Sequence, residues 1–247
     1  MDSDDYIEQG YFTCVARSLD EFNPDIVILS HYSLEDNKKI LHKDFVVQGL
    51  LQDKEYEEVR DKFIYDPTDK NISNPGIISY SLWCKVVRRE IYVKAQELID
   101  DKIVIGEDML CFLYCLQFAK SMICLNDSFY VYRILNNSMM HSYNVKKFEH
   151  FENTVKALVE SDIVDDHRIC AYSFHALCNE YAGIAESVNS ISEFRDKIKE
   201  TQKFKLLYDM ASRVDKSNCN LASRFKIWLV NNKKYDLMFW LLKLKNR

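Results

Sequence analysis

Asp25-Ile26-Val27-Ile28-Leu29-Ser30 is a continuous apolar run closed by two polar residues. It carries no helical spacing, and three of its four apolar residues are β-branched, which predicts a strand buried on both faces. Working outward, Ile40–Val47 predicts a weaker strand, and the segment before the run predicts a short helix ending near Leu19. The charged stretch Asp53–Asp61 predicts a helix. Tyr65–Gly76 holds Pro67, Asn74, Pro75 and Gly76 and predicts a loop. Ser81–Glu90 predicts a further helix. Gly106 then punctuates the chain, and Glu107–Lys120 predicts a helix with acids in its first turn and a lysine at its end. Met122–Leu125 and Phe129–Ile134 predict two strands joined at Asn126-Asp127. Alternating strands and helices of this kind predict an α/β domain over 1–145. Beyond it, helical patterns at 146–160, 165–187, 191–212 and 220–245 predict a helical subdomain over 146–247.

The whole chain agrees with a packed protein. It has 247 residues, 47% of them hydrophobic and 29% charged, enough apolar surface to bury a core. Only five Gly and three Pro predict long regular elements. A net charge of −5 argues against nucleic acid as a partner. No stretch of 18 apolar residues occurs, and the acidic N-terminus does not resemble a secretory signal. Eight cysteines without a C-x-x-C pair predict a reduced, cytoplasmic protein in which they act as small apolar residues.

Four clusters carry candidate chemistry. Asp2, Asp4 and Asp5 stand within four residues, where they repel one another unless a cation intervenes; Mg²⁺ or Mn²⁺ prefers such oxygens. The same acids also read as a solvated terminus. Glu107 and Asp108 open a helix, either as partners of its dipole or as a carboxylate kept ionised to accept a proton. Trp83-Cys84-Lys85-Val86-Val87-Arg88-Arg89-Glu90 sets a sugar-stacking ring beside phosphate-binding cations, or a buried Trp beside a solvated basic face. Tyr132-Arg133 precedes Asn137-Ser138-Met139-Met140-His141, where Arg and His on a polar loop suit a diphosphate and its metal, or form a plain surface loop.

The order D-x-D-D, W-x-K-x-x-R-R-E, G-E-D and Y-x-Y-R-x-x-x-N-S over roughly residues 1–145 resembles family 2 glycosyltransferases, in particular those of bacterial capsule, lipopolysaccharide and other surface-polysaccharide synthesis. The resemblance implies a partial GT-A domain followed by the helical subdomain. It implies metal-dependent transfer, with inversion, from a nucleotide-diphosphate sugar to a hydroxyl of a saccharide or lipid-linked saccharide. Asp2 and Asp4, with His141, would hold Mn²⁺ or Mg²⁺ on the donor. Asp5, Lys85, Arg88 and Arg133 would face its diphosphate. Asp108 would be the general base, Glu107 would orient it or the acceptor, and Trp83 would meet the acceptor. Cys84 stands where relatives often carry Asn. Met1 directly abuts the D-x-D, so the resemblance also implies that the first, nucleotide-binding half is absent. Its coding sequence is then expected just upstream, and the strand at 25–30 is expected to keep an unpaired edge. An inactive remnant or a helical interaction module is the alternative.

Two other features complete the reading. His167, Cys170, His175 and Cys178 form two H-x-x-C pairs, but on one helix the outer pair lies about 16 Å apart and cannot share an ion. From Arg213 to Arg247 there are nine Lys and Arg against two Asp, with Trp228, Phe239 and Trp240 among them. A cationic amphipathic C-terminal helix, peripheral at the inner face of an anionic membrane, is one expectation; a helix packed on the core is the other.

Overall fold

The computed structural model describes residues 4–72, 76–134 and 143–245. Two compact units emerge: Met1–Phe63, Gly76–Asp101 and Gly106–Ser138 form the first, and Ile64–Pro75, Lys102–Ile105 and Met139–Arg247 the second.

The first unit is a six-stranded mixed sheet with helices. The apolar run becomes the buried start of β2 (Ile26–Glu35). β2 pairs in parallel with β6 (Ser121–Arg133). Each of these long strands has a divided outer edge. Along β2, β5 (Lys85–Val87) covers the first half and β3 (Lys38–His42) the second, both antiparallel. Along β6, β4 (Gly49–Gln52) covers the first half and β1 (Tyr6–Ile7) the second, also antiparallel. Ile26–Ile28 is therefore bonded on both sides, by Lys85–Val87 and by Met122–Cys124. The unpaired edge expected there is not found.

Local chemistry explains these elements. Asp36 and Asn37 both take positive φ (46° and 63°), the conformation of a two-residue turn that matches strand twist, and so close the β2–β3 hairpin. α1 (Tyr11–Phe22) ends at Asn23, whose left-handed backbone returns its N–H to Leu19. Val15 on α1 joins Val27, Leu29 and Ile123 in a core cluster, each such side chain contributing about 1.5–3 kcal/mol by leaving water. α4 (Glu107–Phe118) buries seven residues, from Met109 to Leu116, around most of its circumference, so it sits inside the unit rather than on it. α2 (Asp53–Asp61) is tied to it by Tyr56, whose phenol donates to the Leu116 carbonyl at 2.6 Å.

Two further expectations are corrected. The region 81–90 is not one helix: Lys85–Val87 is β5, and α3 (Arg89–Gln96) begins after it. The β-branched Val86 and Val87 extend along β2, and pairing with a buried strand outweighs local helical pattern. The two strands expected around Asn126-Asp127 are one strand, β6. Its pairing with β2 steps from Leu29↔Leu125 to Ser30↔Ser128, so the two polar residues form a bulge rather than a turn.

The second unit holds α5 (Lys146–Ser161), α6 (Asp166–Ser187), α7 (Ile191–Thr201), α8 (Lys205–Ser212), α9 (Leu221–Asn231) and α10 (Tyr235–Lys245). The patterns at 191–212 and 220–245 are thus each divided in two. Side chains of Asp165, Ser190 and Asn220 cap α6, α7 and α9 by accepting amides three residues on. α6 is the central helix, with twelve buried residues. His167, Cys170, His175 and Cys178 lie along it and, among the described residues, bring no three metal-donor atoms together. No described helix is long and apolar enough to cross a membrane.

Candidate active site

A cleft of about 550 Å³ opens in the first unit, lined by Leu82, Trp83, Lys85, Val86, Val87, Arg89, Tyr92 and Asp108. Three elements build it. β5 supplies its strand wall, α3 brings Arg89 and Tyr92, and the start of α4 brings Asp108. Gly106 precedes α4 with φ 86°, a left-handed turn that costs glycine little. Asp108 Oδ2 then accepts the backbone N–H of Leu82 at 3.2 Å, fastening the acid beside Trp83. Glu107 is exposed; partial burial, together with the charge of Asp108, raises its pKa. Burial likewise raises that of Tyr92, with Cys111 and Asp108 adding to it.

Trp83 is the centre of an aromatic pile. Its ring stacks on Tyr130 (4.8 Å, 24°) and Tyr132 (5.3 Å, 6°) and meets His31 edge-on at 4.4 Å. His31 in turn stacks on His42 at 5.0 Å. Its Nδ1 lies 2.5 Å from Asp44 Oδ2. Such an indole is fixed before any ligand arrives.

Lys85 is buried, with its ammonium bonded to Ser79 Oγ at 3.2 Å and to the Ser81 carbonyl, and lying 4.8 Å above the Phe112 ring. Asp44 is also buried. Desolvation pushes its carboxyl up, but the hydrogen bonds from His31 and Ser79 and the charges of His31 and Lys85 win, and its pKa falls. Cys84 beside them is fully buried; burial pushes its thiol up to about 12. His31, Asp44 and Cys84 bring nitrogen, oxygen and sulfur within 4.8 Å of one another. Their hydrogen bonds and the Lys85 ammonium, 3.7 Å from the sulfur, already satisfy the cluster without an ion.

The other expected residues are dispersed. Asp5 is buried, and its carboxylate accepts from the Tyr130 phenol at 2.6 Å and the Arg133 amide at 2.9 Å. It braces β6 rather than facing solvent. Arg133 is exposed, and its guanidinium reaches the Asp4 carbonyl at 3.4 Å. Asp4 is exposed. Asp2 and His141 lie outside the described residues. Arg88 turns away to the start of β2, where Asp25 Oδ1 (2.8 Å) and Asn23 Oδ1 (2.6 Å) hold it. Its neighbour Arg89 is the arginine that lines the cleft. The structure therefore gathers Trp83, Lys85 and Asp108, brings in Arg89, Tyr130 and Tyr132 from the quoted motifs, and adds Tyr92, His31 and Asp44, which the sequence did not single out. Tyr130 and Tyr132 alternate on one strand and were recognisable as a pair; His31 and Asp44 meet only through the β2–β3 hairpin.

No protein-family model matches the chain. The fold itself is a mixed α/β architecture with known counterparts. The whole chain is similar to crystal structures of S. aureus TarS 1–349. The one in complex with UDP-GlcNAc has a TM-score of 0.58 at 15% identity, over 66% of that chain; a second has a TM-score of 0.56 at 13%, over 65%. In sequence, 147 residues, 59% of the chain, are 26% identical to Glycosyltransferase GlyA of Streptococcus pneumoniae serotype 4 (strain ATCC BAA-334 / TIGR4). That segment is 20% of the length of GlyA.

Proposed function

We propose that this chain is part of a family 2, GT-A-type glycosyltransferase of surface-polysaccharide synthesis. It moves a sugar from a nucleotide-diphosphate donor to a hydroxyl of a saccharide or lipid-linked saccharide, with inversion. The observation that carries this reading is the shared cleft of Asp108 and Trp83, joined through the Leu82 amide. An acceptor sugar on the aromatic pile places a hydroxyl toward a fixed carboxylate. The likeness to GlyA in sequence and to UDP-GlcNAc-bound TarS in fold supports it.

In the reaction the acceptor oxygen attacks the anomeric carbon, the bond from that carbon to the donor diphosphate breaks, and its electrons leave with the diphosphate. Asp108 takes the hydroxyl proton, a contribution of roughly 10²–10⁴-fold. Glu107, next to it on the same turn, orients the acceptor. Lys85 and Arg89 set positive charge along the cleft. Arg133, outside the cleft lining, adds a cation on the Asp4 side. Asp2, Asp4 and His141 offer the oxygen and imidazole donors that suit Mn²⁺ or Mg²⁺; of these Asp4 is described, and it is exposed beside the anchored Asp5. When bound there, the metal offsets charge on the leaving diphosphate.

Calorimetric titration of UDP with Mn²⁺ tests the donor side. The chain is expected to bind, and an Asp2→Asn/Asp4→Asn form to bind at least tenfold more weakly, a loss of about 1.4 kcal/mol. Equal isotherms for the two proteins remove the metal role.

A further inference from the structure

The last two helices of the second unit each bury one stripe and expose another. On α9, Ile227 and Leu229 are buried, while Leu221, Phe225 and Trp228 face solvent. Those three recur at i, i+4 and i+7 and so share one helix face. On α10, Met238 and Phe239 are buried, while Leu237, Trp240, Leu241 and Leu244 face outward at i, i+3, i+4 and i+7. Leu221 is 84% exposed and Trp240 54%. Apolar exposure at such regular spacing is unlike the scattered surface leucines of an ordinary monomer.

The charge around these stripes selects the partner. Lys226, Lys233 and Lys234 are exposed, and Lys234 lies 5.8 Å from the Trp228 ring centroid. Lys243 sits on α10, with Asp236 as the acid nearest its start, already bonded to Arg195. This region is cationic within a chain of net charge −5. A Trp on each exposed stripe, with Lys234 beside Trp228 and further exposed Lys on and between the two helices, matches the composition that suits an anionic lipid surface, where indoles lie at the acyl boundary and long cationic side chains reach headgroup phosphates.

We propose that α9 and α10 form a paired footprint that docks on an anionic phospholipid surface, inserting Trp228 and Trp240. The proposal stands independently of sugar transfer and would survive the loss of that reading.

Co-sedimentation of the full chain with sucrose-loaded vesicles tests it, using phosphatidylcholine alone and mixed with phosphatidylglycerol. The chain is expected to pellet with the anionic vesicles and not with the neutral ones. Raised salt should release part of it. Trp228→Ala/Trp240→Ala, both at exposed positions, is expected to lower partitioning by about tenfold or more while circular dichroism stays that of the parent. Equal pelleting by the variant, or no preference for anionic vesicles, overturns the proposal. So does a wild-type dimer in light scattering that the double variant dissolves, since the stripes then belong to a second copy.

Discussion

The phenol of Tyr130 donates to the buried carboxylate of Asp5 at 2.6 Å, while its ring lies 4.8 Å under Trp83. The acidic N-terminal cluster and the aromatic pile are thus mechanically joined through one side chain. Tyr130→Phe keeps the stack but leaves Asp5 short of a donor, so it is expected to cost about 1–3 kcal/mol of stability. Urea unfolding measures this. A loss below about 0.5 kcal/mol would show that the bond does not brace β6.

Asp108→Asn separates chemistry from folding. An amide oxygen can still accept the Leu82 N–H, so the melting temperature is expected to stay within a few degrees of the parent. Turnover, assayed by nucleotide-diphosphate release in the longest active form of the protein, is expected to fall roughly 10²–10⁴-fold. A parallel fall in melting temperature and activity would make Asp108 only a fastener of α4.

Trp83 has a graded test. Trp83→Phe retains a ring over Tyr130 and Tyr132 and is expected to cost at most about 1.5 kcal/mol. Trp83→Ala removes the pile and is expected to cost about 3–5 kcal/mol. With the donor saturating and the acceptor varied, the Phe form should raise the acceptor KM while leaving donor affinity unchanged. Equal effects on both substrates would place the ring away from the acceptor.

Asp44 predicts a pH dependence. Its pKa in the folded chain lies below the ordinary carboxylate value, so the stability it provides is present above that value and is lost as pH falls through the folded one. Asp44→Asn is expected to cost about 1–3 kcal/mol at neutral pH, where it removes the negative charge facing Lys85 and alters the hydrogen bond with His31. The gap between parent and variant should narrow below about pH 4. Urea midpoints across that range check the sign; a gap that widens in acid contradicts it.

Much of the scaffold was readable because it is local. Asp53–Asp61 reads as a helix and is one, and the Ile26–Leu29 run reads as a buried strand and is one. Glu107 and Asp108 announced the start of α4 through helix-dipole chemistry. What failed was decided at a distance. Val86 and Val87 become a strand only because β2 offers an edge. Asn126 and Asp127 look like a turn, yet strong pairing on either side carries the strand through them. The divisions of the late helices, near Phe204 and Lys233, hold no Gly or Pro to mark them. In the site, Trp83 and Asp108 could be picked out by residue type. The His31–Asp44 pair could not; its one local signal was Asp36-Asn37, the turn pair within their thirteen-residue separation, and residue type alone does not say that the hairpin folds one onto the other.

The divided edge of β6 also sets a timetable for synthesis. β1 has no partner until Tyr130 and Val131 exist, since these are the residues it pairs with. A ribosome adding about 5–20 residues per second leaves the segment around Asp4 and Asp5 waiting on the order of 6–25 s after it is made. During that interval the Asp5 carboxylate is hydrated and its strand unformed. Asp5 is thus made well before it can take its place in the first unit, and the elongation rate up to β6 governs when it does.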